Sequence, residues 1–416
     1  MARSKQGFPK SFLWGASTSA HQHEGGNYNQ WTVWELENAR IKATQAQYIW
    51  ESTPGWEKFA KEAKNPGNYV SGKSVNHYEK YKTDLALLKR LNMNSIRFSI
   101  EWSRIEPEEG KWNAEEVEHY KRYLDECARL EITPIVTLFH FTLPVWFAEK
   151  GGFRYRRNIK YFERFCEKIA IELGSRFKYC ITINEPTVYA GESYYSGNWP
   201  PNESSWWSNF RVLGNLTVAH RRVVKVMKKA QPNLLFSQAF NLSYTYPGDD
   251  ALLTRISAEV YNYISNTYTL NRNVRHCDFI GVNYYASNRV YGYRIHNPNR
   301  LLSDLGWDMQ PSDIALVLED CYERYKKPIL VTENGVADIG DKKRRWWIDQ
   351  TIEALKSARK RDVDLIGYTH WSLLDNFEWD KGFWPRFGLI SVDRKNYRRR
   401  ARESAKHLAN IIKSEE

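Results

Sequence analysis

The sequence predicts an α/β fold, a (β/α)8 TIM barrel, in a single domain over residues 1–416. Eight short β-rich runs recur along the chain, and several are apolar almost throughout, as in parallel strands covered on both faces. Amphipathic helical patterns separate most of them, and no Gly/Ser- or Pro-rich linker divides the chain. A doubly wound open sheet is the alternative. Such a sheet prefers a G-x-G-x-x-G turn, which Gly25-Gly26 does not supply.

The predicted strands come in one order along the chain. They are short and rich in Ile, Val, Leu and Phe, and we expect them at 12–16, 95–99, 134–138, 180–183, 234–238, 279–282, 329–332 and 365–369. The stretch from 35 to 74 is polar and aromatic, so we expect a long loop after the first strand. Long loops on such a scaffold tend to carry function.

Helices are expected between most of these strands and after the last one. Apolar residues recur there every three or four positions, which predicts helices at 78–91, 114–130, 159–173, 210–229, 312–325, 344–360 and 401–412. Strands alternating with helices in this way place the carboxyl ends of all eight strands at one face of the barrel.

The charge balance and the cysteines exclude several classes of protein. The net charge is +12, but the basic runs at 342–345 and 398–400 are short and lie among helix formers, which favours a solvated surface over a nucleic-acid interface. None of the five cysteines pairs with another at C-x-x-C spacing, so we expect neither a disulfide framework nor a zinc site. The cluster His276-Cys277-Asp278 is expected to be structural, because neighbouring strand residues point to opposite faces.

The N-terminus and the hydropathy bear on location. Residues 1–17 contain no sustained apolar run of the kind found in signal peptides, and no stretch of the chain reaches 18 apolar residues. We therefore expect no secretion and no membrane span. The cysteine usage favours a reducing compartment, so the predicted location is the cytoplasm. Nothing in the sequence indicates an oligomeric state.

Polar side chains stand at the ends of nearly all the predicted strands, where barrel enzymes carry their chemistry. These residues include Gln22, Arg97, His140, Asn184, Glu185, Asn283, Tyr285, Glu333 and His370. A single Glu at such a place is more often a helix cap or a satisfied rim residue. Two Glu near one cavity, with Arg, His, Asn and Tyr beside them, are typical of paired-carboxylate acid/base catalysis.

Several motifs, in this order and at this spacing, resemble glycoside hydrolase family 1, the β-glucosidase-like retaining glycosidases. The motifs are FLWGASTSAHQHEG at 12–25, HYEKYKTDLALLKRLNMNSIRFSIEWSRIEP at 77–107, TLFHFTLP at 137–144, TINEP at 182–186, NYY at 283–285, VTENG at 331–335, HWSLLDNFEW at 370–379 and RFGLISVD at 386–393. The resemblance extends from about residue 8 to the C-terminus.

The resemblance implies a pair of catalytic carboxyl groups. Glu185 of the NEP motif corresponds to the general acid/base, and Glu333 of the ENG motif corresponds to the nucleophile. Arg97 and Tyr285 correspond to the partners that hold the nucleophile. A retaining mechanism needs two carboxyl groups about 5 Å apart, one protonated and one ionised. An ionised Glu333 raises the pKa of Glu185, which is consistent with these roles.

The resemblance also implies a sugar-binding set and a substrate. Gln22, His140, Asn184, Glu378 and Trp379 correspond to the polar clamp on the non-reducing sugar. Trp371 corresponds to the stacking floor, although a core Trp at the barrel rim is the alternative. Asn283 is expected to support the nucleophile side. The expected substrate is a β-glucoside or a short oligosaccharide, with side activity on β-galactosides or β-fucosides and with no metal or organic cofactor.

Two other functions and several departures from the family stay open. The alternatives are a non-hydrolytic carbohydrate-binding protein and a member that prefers galactosides or fucosides. The family usually carries Trp at the position of Phe141, Trp at Thr187 and an aliphatic residue at His23. Family members that act on 6-phosphorylated sugars carry Ser near Glu378, so the carboxylate of Glu378 argues against a phosphorylated substrate.

Tryptophan is unusually frequent, with 17 residues. Seven of them are candidate platforms for further sugars or an aryl aglycone: Trp199, Trp206, Trp207, Trp307, Trp346, Trp347 and Trp384. Trp346 and Trp347 fall on a helical pattern, which favours outer packing. Trp307 is expected near the entrance of the site.

Overall fold

A computed structural model of the chain describes residues 7–298 and 300–415. Eight parallel strands close into a barrel, and helices surround it. The barrel strands are hydrogen-bonded in a closed ring, in the order 13–17, 365–371, 329–334, 280–284, 235–241, 179–184, 133–137 and 95–99, and the last of these pairs with the first. The predicted (β/α)8 fold is confirmed.

The strands begin and end within a few residues of the predicted positions. They are β1 Leu13–Ser17, β2 Ser95–Ser99, β3 Thr133–Thr137, β4 Tyr179–Asn184, β5 Leu235–Asn241, β6 Thr245–Pro247, β7 Ile280–Tyr284, β8 Asn288–Tyr291, β9 Arg294–Ile295, β10 Ile329–Asn334, β11 Leu365–Trp371, β12 Ile390–Asp393 and β13 Arg398–Ala401. Strands β6, β8 and β9 form a small separate sheet, and β12 pairs with β13. The sequence did not predict these two small sheets.

The helices cover the outside of the barrel and extend some of its loops. They are α1 Ala20–His23, α2 Gln30–Trp50, α3 Trp56–Ala63, α4 His77–Arg90, α5 Trp102–Ile105, α6 Ala114–Arg129, α7 Val145–Glu149, α8 Ile159–Leu173, α9 Pro186–Ala190, α10 Trp206–Ala230, α11 Leu252–Asn262, α12 Tyr268–Asn273, α13 Ile314–Tyr325, α14 Arg344–Lys360 and α15 Glu403–Glu415. All seven predicted helices are present. Among the described residues, no helix combines the length and the apolar character needed to cross a membrane.

The expectation of a long loop from 35 to 74 is wrong. Helix α2 occupies much of that stretch, and α3 follows it. Asn29 caps α2 by accepting hydrogen bonds from the backbone N–H groups of Trp31 and Thr32. The buried face of α2 begins with Trp31 and Trp34, but within the stretch predicted as a loop its buried apolar residues are the small Ala39, Ala43 and Ala46.

Two hydrophobic clusters hold the barrel in shape. The larger one fills the space between strands and helices, where it contains residues such as Val136, Phe165 and Leu355. A smaller one draws on five barrel strands and consists of Leu13, Ile135, Ile181, Ala239, Leu330 and the adjoining Phe279. A packed interior of this kind leaves space only at the carboxyl ends of the strands, where the polar residues lie.

Candidate active site

A cavity of about 160 Å³ opens at the carboxyl ends of the barrel strands. The sequence predicted eleven site residues, and nine of them line this cavity: Gln22, His140, Asn184, Glu185, Tyr285, Glu333, Trp371, Glu378 and Trp379. The other two, Arg97 and Asn283, are buried and contact the lining residues through hydrogen bonds. All eleven predicted residues therefore belong to one cluster.

Glu333 lies near the end of β10, with both carboxylate oxygens held by neighbours. Arg97 Nη1 forms a short ion pair with Oε1, and the Tyr285 hydroxyl donates to Oε2 at 2.7 Å. Burial raises the pKa of Glu333, while the Arg97 charge and the Tyr285 hydroxyl oppose that rise. Both partners bind the ionised form, so the arrangement favours a charged carboxylate at this position.

Arg97 comes from β2 and is itself fixed in place. Its Nε donates to Thr137 Oγ1 at 3.1 Å, and its Nη2 donates to Asn184 Oδ1 at 2.6 Å. The side chain is almost completely buried. A buried guanidinium with every nitrogen paired presents a fixed positive charge to Glu333, with no reorganisation required.

Glu185 follows β4 and directly precedes α9. Its backbone φ is +39°, in the left-handed region, and its N–H donates to Ala239 O at 2.8 Å. Non-glycine residues in this region are strained and are often found at functional sites. The amides of Asn283 and Asn241 donate to Glu185 Oε1 at 2.8 and 3.1 Å. Glu185 thus has neutral amide partners, in contrast to the cationic partner of Glu333.

The surroundings of the two carboxyl groups favour different protonation states. Burial and the charge of Glu333 raise the pKa of Glu185 to about 8, although both asparagine amides oppose the rise. A second negative charge in the same buried cavity is unfavourable. Since Arg97 contacts Glu333 and not Glu185, the arrangement favours ionisation of Glu333 and protonation of Glu185.

Gln22 and Glu378 meet at one wall of the cavity. Gln22 Nε2 donates to Phe377 O at 2.9 Å and to Glu378 Oε2 at 3.3 Å. Asn376 Nδ2 donates to the same Glu378 oxygen at 2.9 Å. Burial raises the pKa of Glu378 to about 7. One oxygen of Glu378 is therefore occupied by protein donors, and its other oxygen has no protein partner among the hydrogen bonds of the described residues.

His140 and Asn184 form a second polar wall. Asn184 Oδ1 accepts from Arg97, so its Nδ2 is the nitrogen that lies 3.3 Å from His140 Nε2. An amide nitrogen only donates, which makes Nε2 the acceptor and leaves the ring proton on Nδ1. Burial and the Arg97 charge hold the pKa of His140 well below its usual value. The imidazole is therefore neutral.

Flat aromatic surfaces enclose the same space. The ring of His140 is nearly parallel to those of Trp371 and Trp379, at centroid distances of 6.0 and 6.1 Å. Phe141 packs edge-on against Trp379 at 5.2 Å. Phe141 has no polar side-chain atom, so a Trp in its place would add one N–H donor at this wall.

Gly335 is the glycine of the ENG motif, and the close approach of a neighbouring strand requires a glycine there. A Cβ at this position would lie 2.0 Å from Trp371 O, which is closer than any real contact. The glycine permits β10 and β11 to approach at the level of the site. Strand pairing of Asn334 with His370 continues the same contact.

The structure adds residues that the sequence interpretation did not single out. Asn241, Glu192, Lys381 and Phe387 line the cavity. Asn241 ends β5, the only barrel strand for which no polar end residue was proposed, because the predicted strand stopped at 238. Asn283, expected on the nucleophile side, also donates to the predicted acid/base.

The seven additional tryptophans divide by location. Trp199 and Trp307 line the cavity, and Trp206 lines a neighbouring groove. Trp347 and Trp384 are buried, whereas Trp207 and Trp346 are exposed. Trp347 donates to Asn334 Oδ1 at 3.0 Å, so it packs behind β10, as its helical pattern indicated. Within residues 7–298 and 300–415, no group of three or more His, Cys, Asp and Glu could hold a metal ion.

Comparisons with known proteins agree with this geometry. The family model described as Glycosyl hydrolase family 1 matches residues 4–275 and 267–416. The chain is 28% identical to the 1,4-beta-D-glucan glucohydrolase of Thermotoga neapolitana, over 98% of each chain. It is also 28% identical to a 6-phospho-beta-galactosidase of Clostridium acetobutylicum, over 96% of this chain and 95% of that one.

A solved structure extends the comparison to three dimensions. The β-glycosidase from Pyrococcus horikoshii superposes with a TM-score of 0.87 and 33% identity, covering 99% of this chain and 96% of that chain. The family match, the barrel and the cluster of strand-end residues lead to one conclusion: the chain belongs to glycosyl hydrolase family 1 and is a glycosidase.

Proposed function

We propose that the protein is a retaining, exo-acting β-glycosidase that removes terminal non-reducing β-D-glucosyl residues from small glycosides or oligosaccharides. The observation that carries this proposal is the contrast between the two glutamates. Glu333 is paired with Arg97 and Tyr285, while Glu185 has amide partners and a pKa of about 8. A nucleophile and a general acid need these two protonation states at neutral pH.

In the first step, Glu333 attacks the anomeric carbon while Glu185 protonates the glycosidic oxygen. The bond from carbon to the leaving oxygen breaks, and a covalent glycosyl ester forms on Glu333. The ester removes the negative charge of Glu333, and with it one cause of the raised pKa of Glu185. Glu185, now a carboxylate, takes a proton from water, which attacks the same carbon and releases the sugar.

The sugar is held at its edge and on its face. Gln22, His140, Asn184 and Glu378 offer polar atoms for hydroxyl groups, and the indoles of Trp371 and Trp379 offer apolar surface for C–H groups. The cavity of about 160 Å³ suits one terminal sugar, which supports exo action. Gln22 and Glu378 are the residues we expect to distinguish glucose from its C4 epimer.

The test is hydrolysis of p-nitrophenyl β-glucoside, β-galactoside and β-fucoside by the wild type and by Glu333→Gln. We expect turnover of the glucoside with retained anomeric configuration in the first product, observed by NMR. Glu333→Gln should lower kcat by about ten-thousand-fold or more. An inverted product would refute the mechanism. Higher kcat/KM on galactoside or fucoside would support the second candidate, a family member that prefers those sugars.

A carbohydrate-binding protein without turnover is the competing class. Binding alone requires neither the Arg97–Glu333 ion pair nor a raised pKa on Glu185. Calorimetric binding of glucose by a folded wild type that hydrolyses none of the three substrates would favour this class.

We also propose that the chain forms one catalytic domain and acts in a reducing, cytoplasmic compartment. The support is the cysteine chemistry: Cys127, Cys166, Cys180, Cys277 and Cys321 are all buried and free. Fractionation of cells that express the tagged protein, with a disulfide assay under oxidising conditions, tests this location.

A further inference from the structure

A mostly apolar groove of about 430 Å³ lies beside the catalytic cavity. Aromatic and aliphatic side chains form most of its surface, with Trp206 and Phe210 from α10, Tyr268 from α12, and Ile264 from the π-helical turn between α11 and α12. The rings of Trp206 and Phe210 are stacked at 5.5 Å, and Tyr195 meets Trp206 edge-on at 4.9 Å. No step of the proposed mechanism uses these residues.

The groove and the catalytic cavity share a boundary. Val188, Glu192 and Asn241 line both. Asn241 donates to Glu185, the proposed acid, at 3.1 Å. The acid protonates the oxygen that leaves with the aglycone. The groove begins at Asn241, which is hydrogen-bonded to this acid, so the groove lies on the aglycone side of the glycosidic bond.

The apolar surface continues past the groove onto α11. Leu252, Leu253, Ile256 and Val260 are all exposed, and at 3.6 residues per turn they fall within about 100° of the helix circumference. Helix α11 thus turns an apolar face toward solvent. Ile264, just beyond it, is exposed and lines the groove, which connects that face to the groove. A contiguous exposed apolar face is typical of a binding site.

We infer that the preferred substrates carry a long apolar chain as aglycone, and that this chain lies in the groove. The groove lining also includes polar side chains, among them Thr187, Asn209 and Ser265, but the surface that it exposes is mostly apolar. Such a surface suits an alkyl chain better than a second sugar, which needs polar partners for several hydroxyl groups. An alkyl chain needs only apolar contact and can continue toward α11. This inference deepens the proposed function and rests on it, because the chain is placed by the leaving-group side of the cleaved bond.

The first experiment measures kcat/KM for methyl, butyl, hexyl and octyl β-glucosides, all below their critical micelle concentrations. Full burial of a methylene gives about fourfold in affinity, so a half-open groove gives roughly twofold per carbon. We expect octyl β-glucoside to exceed butyl β-glucoside by about tenfold or more. A flat series, with p-nitrophenyl β-glucoside still hydrolysed, would overturn the inference and leave the proposed function standing.

A pair of adjacent tryptophans supplies matched variants. Trp206 lines the groove and is 59% exposed, while Trp207 lies next to it, is 88% exposed and is not part of the groove lining. Trp206→Ala should lower the octyl-to-butyl ratio about fivefold or more, and Trp207→Ala should leave it unchanged. Ile264→Ala is a second groove variant, should Trp206→Ala fold poorly. Equal octyl-to-butyl ratios in the wild type, Trp206→Ala and Ile264→Ala would contradict the groove assignment.

Binding without turnover separates the two proposals. Octyl and butyl 1-thio-β-glucosides resist hydrolysis, so calorimetry on the wild type measures the groove even if no glycoside is cleaved. Tighter binding of the octyl compound, lost in Trp206→Ala, supports the inference. A glucosyl diacylglycerol in phosphatidylcholine vesicles then tests whether the chain comes from a bilayer. A dimer in sedimentation that Ile256→Glu dissociates, with equal binding of both thioglucosides, would assign the apolar face to a second copy and overturn the inference.

Discussion

The Tyr285 hydroxyl donates to Glu333 Oε2 at 2.7 Å, on the carboxylate oxygen opposite the one that Arg97 contacts. The two partners differ in what they contribute. Arg97 supplies a charge, and Tyr285 supplies a neutral donor that fixes the plane of the carboxylate. In the glycosyl ester, one Glu333 oxygen is bonded to the sugar, so the hydrogen bond to the ionised carboxylate must change during the reaction.

Removal of the Tyr285 hydroxyl is expected to slow the chemistry without unfolding the protein. A hydrogen bond to a charged group contributes about 1.5–3 kcal/mol, so Tyr285→Phe should lower kcat about 10- to 100-fold. The matched control is Tyr284→Phe, because Tyr284 donates to Gln310 O at 2.6 Å behind the site. The control should lower the melting temperature and leave kcat within about twofold. Similar kcat in both variants would contradict the role of Tyr285.

The pH dependence of kcat/KM should report the ionisation of Glu185. The acid works only while protonated, so with a pKa of about 8 we expect kcat/KM to fall about tenfold per pH unit above pH 8. The Asn241 amide lowers the pKa of Glu185, so Asn241→Ala should move this fall to higher pH.

A leaving group that needs no proton provides the control. With 2,4-dinitrophenyl β-glucoside, Glu185→Ala should retain the bond-cleavage step and lose the fall above pH 8. Persistence of that fall in Glu185→Ala would assign it to another group, and Glu378, with a pKa of about 7, would be the next residue to test.

The raised pKa of Glu185 also has a consequence for stability. The folded state holds its proton up to about pH 8, whereas an unfolded glutamate releases it near 4.5. The stabilisation from this proton is complete below pH 4.5 and is lost as pH rises through 8. Glu185→Gln has no such loss, so its free energy of unfolding relative to wild type should increase by about 4 kcal/mol between pH 4.5 and 9. Urea unfolding curves at both pH values measure this difference. Equal changes in the free energy of unfolding of the two proteins would refute the prediction.

Much of the barrel could be predicted because its strands are continuous and apolar. Runs such as those at 134–138 and 329–332 contain a single polar residue each, a threonine, and lack the alternation of apolar and polar residues expected of a strand with one face in water. The proposed catalytic pair came from the resemblance of the NEP and ENG motifs to glycoside hydrolase family 1, because a single Glu at a strand end is more often a helix cap or a rim residue. Position in the barrel then brought Glu185 and Glu333 into one cavity.

Helix α2 shows why other parts escaped prediction. After Trp34, its buried apolar residues are Ala39, Ala43 and Ala46, which are too small to continue a clear apolar stripe. The cap at Asn29 and the spacing of these alanines by three or four were the signals present in the sequence. Asn241 was missed because β5 extends three residues beyond the predicted end at 238. The groove beside the site depends on loops and helices distant in sequence, which no local pattern reports.

Discrimination against phosphorylated sugars should depend on Glu378. Its carboxyl group lines the sugar end of the cavity, and above its pKa of about 7 a phosphate there would meet a like charge. Lys381 lines the same cavity, but its Nζ is 2.9 Å from Asp380 Oδ1 and is paired by that carboxylate. We expect wild type to prefer p-nitrophenyl β-glucoside over its 6-phosphate by about 100-fold or more in kcat/KM.

Glu378→Ser removes the repulsion together with one acceptor for the sugar hydroxyls. The variant should lose activity on the plain glucoside and shift the preference toward the 6-phosphate by at least about tenfold. Glu192→Gln is the matched control, since Glu192 also lines the cavity but lies at its boundary with the groove, on the aglycone side. A shift of equal size in Glu192→Gln would mean that the overall charge of the cavity, and not the contact at Glu378, excludes the phosphate.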